Sequence, residues 1–155
     1  MKITNNQVFG AQNYFAGLKL GKFDKDIRVA IFKNVGELSL AVKAVQDKME
    51  SSKKELFKDL EKDGEKVGAL REELNKEETT KERKDAIVKE ILTYEKFLDA
   101  EKEFGEVVAR FGKDEVEIKL VQIDLNKFID GLIASEIDFT AAQLNSVSFI
   151  FRQVK

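Results

Sequence analysis

Residues 31–49 read IFKNVGELSLAVKAVQDKM, and this stretch decides the fold. Ile31, Val35, Leu38, Val42, Val45 and Met49 recur at alternating steps of four and three. That spacing puts side chains on one face of an α-helix. The row is heptad-like, so it needs a facing helix to cover it. Upstream, Asp24 is a suitable N-cap, because a carboxylate there accepts a bond from a free amide of the first turn. Downstream, the same rule reaches Ser52 and Leu56, so the row weakens as charge density rises. A helix unbroken from residue 25 to 62 is about 57 Å long, at ~1.5 Å per residue.

The next segment, 58–84, reads KDLEKDGEKVGALREELNKEETTKERK. Asp63–Gly64 and Gly68 interrupt the pattern and predict a turn, since glycine closes helices readily. Thr79 and Glu82 have the spacing of a capping box, which predicts a helix starting near Thr80. Its apolar row is Ile87, Ile91, Tyr94 and Leu98, and Phe97, Phe104, Val108 and Phe111 carry the face onward to Gly112. Two long helices with facing rows and a charged connection fold most economically as an antiparallel hairpin, with its tip near 62–79.

Both ends of the chain are organised differently. Thr4 and Gln7 form another capping box, followed by an apolar face of Val8, Ala11, Phe15 and Leu18, with Gly17 and Gly21 bracketing the helix end. After Gly112 the period changes to two, with Val116, Ile118 and Leu120 alternating with charged residues, as in a half-buried strand. Its partner is either Lys2–Thr4 or another chain. Asn126 to Ser135 reads as a short helix, and a third box, Thr140 with Gln143, precedes a terminal helix through Leu144, Val147 and Phe151. The prediction is a mainly α protein of one domain, 1–155. A long hairpin (24–111) packs on a small base made of an N-terminal strand and helix (1–23) and a strand plus C-terminal helices (112–155).

Composition removes whole classes of chemistry. The 155 residues contain no Cys, His, Trp or Pro. Disulfides, thiolate zinc sites, thiol nucleophiles and every imidazole mechanism are therefore excluded. An apolar fraction of 43% with 12 Phe argues against disorder. The net charge is −2, and residues 47–106 carry 14 basic against 19 acidic side chains, which disfavours nucleic acid. MKITNNQVFG has polar residues where a signal peptide has its apolar core, and the longest uncharged run, Phe139 to Phe151, is too short to span a bilayer. These features predict a soluble intracellular protein.

The candidate constellations mostly dissolve on inspection. Asp59, Glu61, Asp63 and Gly64 imitate half of a calcium loop, but Lys66 and Leu70 stand where the pattern needs an apolar residue and a bidentate acid. The acidic pairs Glu72–Glu73 and Glu77–Glu78 are interleaved with basic residues, and Glu50–Lys54, Glu72–Lys76, Glu77–Lys81 and Asp85–Lys89 have the i,i+4 spacing of exposed helix. No glycine-rich phosphate loop occurs. No catalytic set, metal site or cofactor is expected. Phe9, Tyr14, Phe15, Phe23 and Phe32 cluster near the start, and Phe149 and Phe151 near the end. They read either as the core at the hairpin's base or as an interface, with Phe9, Tyr14, Phe15, Phe23, Phe149 and Phe151 as the interface candidates.

The start Met1–Ile3, the segment Leu18–Lys22, the acidic-glycine bend Asp63–Gly64 and the tail Val116–Ile118 resemble a family of small uncharacterised tailed-phage proteins over most of the chain. The resemblance implies phage origin, hence the host cytoplasm or the virion as location. It also implies a role in virion assembly or in managing the host, and it brings no catalytic residues. The expected activity is non-enzymatic binding of a phage or host protein, with homo-oligomerisation through leftover apolar surface. The alternative is an anti-defence inhibitor that blocks a host protein or sequesters a small nucleotide signal.

Overall fold

The computed structural model describes residues 1–152, so 153–155, which the sequence reading places in the C-terminal helices, lie outside the described residues. The chain is mainly helical with a minor β element. In order come β1 (Lys2–Thr4), α1 (Asn5–Ala16), α2 (Lys25–Leu56), α3 (Glu61–Leu74), α4 (Lys81–Ile91), α5 (Glu95–Lys113), β2 (Glu115–Glu117), β3 (Ile123–Asp124), α6 (Leu125–Ala134), α7 (Ala141–Ser146) and β4 (Phe151–Arg152). Two compact units emerge: residues 1–47 with 111 onward, and residues 48–110. Both boundaries fall inside continuous helix, α2 and α5, so no linker marks them.

In the first unit, β1 pairs antiparallel with β2, Ile3 opposite Val116, so of the two partners open to the period-two segment it takes the internal one. The Met1 ammonium extends the pairing by donating to the Ile118 carbonyl at 2.8 Å. The Thr4–Gln7 capping box forms and launches α1. A second, parallel pairing of β3 with β4 places Ile123 beside Phe151. That pairing ends the terminal helical segment early: α7 stops at Ser146, and a 3-10 turn over Ser148–Ile150 leads into β4, so Phe151 is a strand residue and not the helical one expected. The core joins Val8, Ala11, Phe15, Phe23, Ile27, Ile31, Leu38, Ile123, Phe128, Leu132, Val147 and Ile150. Phe128 is its aromatic hub, with ring centroids 5.0 Å from Phe151, 5.5 Å from Phe23 and 5.9 Å from Phe15.

The second unit corrects the expected hairpin tip. Gly64 and Gly68 lie within α3 and make no turn. The break comes earlier: α2 ends at Leu56, well short of residue 62, and Asp59 adopts the left-handed conformation at φ 65°. Aspartate tolerates that region better than most residues. The reversal between α3 and α4 occupies residues 75–80. The expected cap is displaced by one residue, and with Arg83 at the third helical position it is a single Thr cap and not a box. Thr80, not Thr79, caps α4 by accepting from the Arg83 amide, while the Thr79 hydroxyl donates to the Glu73 carbonyl at 2.7 Å, satisfying the end of α3. The expected helix from Thr80 to Phe111 is likewise two helices. They part at Leu92–Tyr94, where the Thr93 hydroxyl donates to the Glu90 carbonyl, a local bond that competes with the helical ladder. Gly112 does not end α5, which runs on to Lys113.

Val67, Leu70, Ile87, Phe97 and Ala100 are the buried residues of this unit. Phe57 joins them, its ring centroid 5.4 Å from Phe97 and 6.1 Å from Phe104. Two bidentate pairs tie its helices: Arg71 donates to both carboxylate oxygens of Glu101 at 2.7 Å, and Arg83 donates to those of Glu73 at 2.7 and 2.8 Å. Of the i,i+4 pairs in the sequence, Glu50–Lys54 closes at 2.8 Å.

Candidate functional site

The aromatic residues singled out in the sequence divide by burial. Phe15 and Phe23 are in the core of the first unit, 2% and 3% exposed, so they cannot serve as the contact surface proposed for them. The reason is packing: both rings lie against Phe128, Phe15 edge-on and Phe23 tilted. Tyr14, Phe149 and Phe151 are partly buried and pack against the same core, and Phe9 is half-buried on α1. Burial of the Tyr14 hydroxyl holds its pKa above the ordinary phenol value. Phe32 goes the other way. It belongs by sequence to the core cluster, yet it is 67% exposed.

Helix α2 explains the reversal. Its inward face carries Ile27, Ile31, Asn34, Leu38 and Val45, all buried. At 100° per residue, Val29, Phe32, Gly36 and Leu40 lie on the opposite face. Val29 is 45% and Leu40 68% exposed. A Cβ on Gly36 would meet nothing within 4 Å, so a notch sits between Phe32 and Leu40. Lys25, Lys33 and Lys43 are exposed along the same face, and Glu37 flanks it. The sequence signal was available: a second row at +3, +4, +4 runs antiphase to the core row, and one helix cannot bury both.

One edge of this surface is built by a loop. Val121, itself exposed, lines a groove of about 490 Å³ with Lys25, Asp26, Val29, Ala30 and Lys33. Asn34 fixes it there: its Nδ2 donates to the Val121 carbonyl at 2.8 Å, and its Oδ1 accepts from the Val121 amide at 2.7 Å. The other end of the groove is tied by Lys127 of α6, whose ammonium lies 3.1 Å from Asp26 and 3.8 Å from Asp24. That hydrogen bond and charge hold the Asp26 carboxyl below its ordinary pKa and the Lys127 ammonium above its own.

The second unit has grooves of its own. One, of about 490 Å³, is lined by Lys53, Phe57, Leu60, Glu61, Gly64, Phe97, Glu101, Phe104 and Gly105. The other brings Lys53, Lys54 and Lys58 around Phe57 with Glu50 and Glu61. Among the described residues, no cluster of three or more His, Cys, Asp or Glu is placed to hold a metal ion, and no helix is long and apolar enough to cross a membrane. No protein-family model, curated protein or solved structure matches the chain.

Proposed function

We propose that the protein is non-enzymatic and acts by binding other proteins, with the outward face of α2 as its contact surface. One observation carries this reading: Phe32 and Leu40, each about two-thirds exposed, share a face with Val29 while the opposite face of the same helix is buried. Large apolar side chains grouped on a soluble surface cost solvation, and a partner that covers them recovers it. A sequence without His or Cys supports a non-catalytic role. The resemblance to small tailed-phage proteins supports virion assembly as the setting.

The test is co-purification from infected cells with the full chain and its Phe32→Glu variant. A phage structural protein recovered with the wild type and lost with the variant is the expected result. Identical recoveries, with both proteins equally folded, would remove this surface from the function.

A second reading, a phage anti-defence protein that sequesters a nucleotide signal, is favoured by the three lysines around Phe57. An aromatic face can stack on a base while ammonium groups meet phosphate. A cyclic-dinucleotide thermal shift that disappears in Phe57→Ala would support it, and a flat response would end it.

A further inference from the structure

We propose that the partner of the α2 face is a second copy of this chain, paired antiparallel across a two-fold axis at Gly36; this rests on the protein-binding reading above. The argument is register. About a two-fold at residue 36, positions whose numbers sum to 72 stand opposite one another. Phe32 then meets Leu40 of the other copy, Leu40 meets its Phe32, and the two glycines cross where backbones come closest. Val29 lies against the aliphatic stem of Lys43, which can cover apolar surface while its ammonium stays in water. Isologous contacts of this kind, in which residue i meets j and j meets i, are what a two-fold dimer requires.

Charge points to the same register. Lys33 and Glu37 flank one side of the stripe and are exposed, and neither is in an ion pair among the described residues. Across the axis Lys33 stands two residues, about 3 Å, from level with Glu37 of the other copy, a gap these long side chains span, giving one Lys33–Glu37 pair on each side of the crossing. Flanking charges are the device by which paired helices set orientation. A lipid surface fits less well, since it gains nothing from a glycine notch or from an acid beside the stripe.

The stripe offers three large apolar side chains, Val29, Phe32 and Leu40, far fewer than the roughly 20–30 residues a side of a standard interface. The dimer is therefore weak and concentration-dependent. Sedimentation velocity on the full chain from roughly 10 μM to 1 mM should show monomer converting to dimer. Phe32→Glu or Leu40→Glu should weaken association by about tenfold or more. Lys33→Glu and Glu37→Lys should each weaken it by roughly two- to fivefold, and the double exchange should restore it. Because the chain has no cysteine, Gly36→Cys should cross-link two copies on oxidation, whereas Ala44→Cys, about two helical turns from the axis, should not.

A single monomer mass over the whole range overturns the proposal, as does a dimer that survives Phe32→Glu. Dimerisation without Gly36→Cys cross-linking overturns the register. A monomer that binds phosphatidylserine vesicles only when Phe32 is intact assigns the face to lipid instead. A monomer whose co-purifying partner is still lost with Phe32→Glu overturns self-pairing alone, and unchanged partners would overturn the broader reading with it.

Discussion

Asn34 grips the backbone of Val121 with both ends of its side-chain amide, at 2.8 and 2.7 Å, from a position with no solvent exposure. The side chain does what a neighbouring strand would do, pairing one N–H and one C=O of a loop that has no ladder partner. It couples the packing of the core to the candidate contact surface, because Val121 forms the edge of the groove beside Val29. Replacing Asn34 by Ala removes both bonds and leaves a small cavity in the core face. Loss of about 1–3 kcal/mol is expected by chemical denaturation. Faster hydrogen exchange at the Val121 amide should accompany it. A stability loss with unchanged exchange there would show that the loop is held by something else.

The two glycines of α3 make a paired test, since the sequence reads them alike and the structure separates them. A Cβ on Gly64 would come within 2.9 Å of the Phe97 ring, whereas one on Gly68 would meet open space. Gly68→Ala should therefore stabilise the helix by roughly 0.5–1 kcal/mol, the propensity difference in a helix interior. Gly64→Ala gains the same propensity but must displace a buried ring, and overpacking costs about 1–3 kcal/mol. Opposite signs in thermal melts are the expected outcome; equal stabilisation would mean Phe97 yields freely.

Much of the fold was legible because periodicity reports burial directly. The row from Ile31 through Leu38 to Val45 and the Thr4 and Thr140 capping boxes all follow from local pattern, whereas the choice of Lys2–Thr4 over another chain as strand partner needed the fold. The errors arose where tertiary contact overrode local preference. Gly64 reads as a helix end, yet it is there to admit Phe97, and the actual break uses Asp59, a weaker marker of a helix end than glycine. Thr79 and Thr80 both fit a cap, and only the carbonyl of Glu73 decides between them. The contact surface was the least legible part. Phe32 sits among core aromatics in sequence, and what betrays its exposure is its position antiphase to Ile31 and Asn34, which fill the inward face of α2. Asn34 itself shows as a polar residue in an apolar row, but its partner 87 residues away leaves no local trace.

Acid should weaken the second unit. Hydrogen bonds from Arg71 hold the Glu101 carboxyl below its ordinary pKa, and Arg83 does the same for Glu73. A carboxyl whose folded pKa is depressed stabilises the fold fully above its unfolded value, near 4.3. That contribution fades as pH falls through the folded value, while the guanidinium groups stay charged throughout. Denaturation midpoints should thus be level near neutrality and drop below about pH 5. Glu101→Gln should lower stability at pH 7 and shrink the acid-dependent loss. An unchanged acid slope in that variant would show that Arg71–Glu101 contributes no pH dependence.

Gly131 of α6 and Phe23 test the core of the first unit. Both are buried, and a Cβ on Gly131 would overlap the Phe23 ring. The ring cannot retreat easily, since it packs on Phe128 with centroids 5.5 Å apart. Gly131→Ala should therefore destabilise by about 1–3 kcal/mol even though alanine is the better helix former. In a Phe23→Leu background, where the side chain is smaller and can turn aside, the same substitution should cost much less. The double-mutant cycle measures that coupling, because each single change alters the space available to the other. Additive losses would place the strain elsewhere and mean that Gly131 is not where α6 makes room for Phe23.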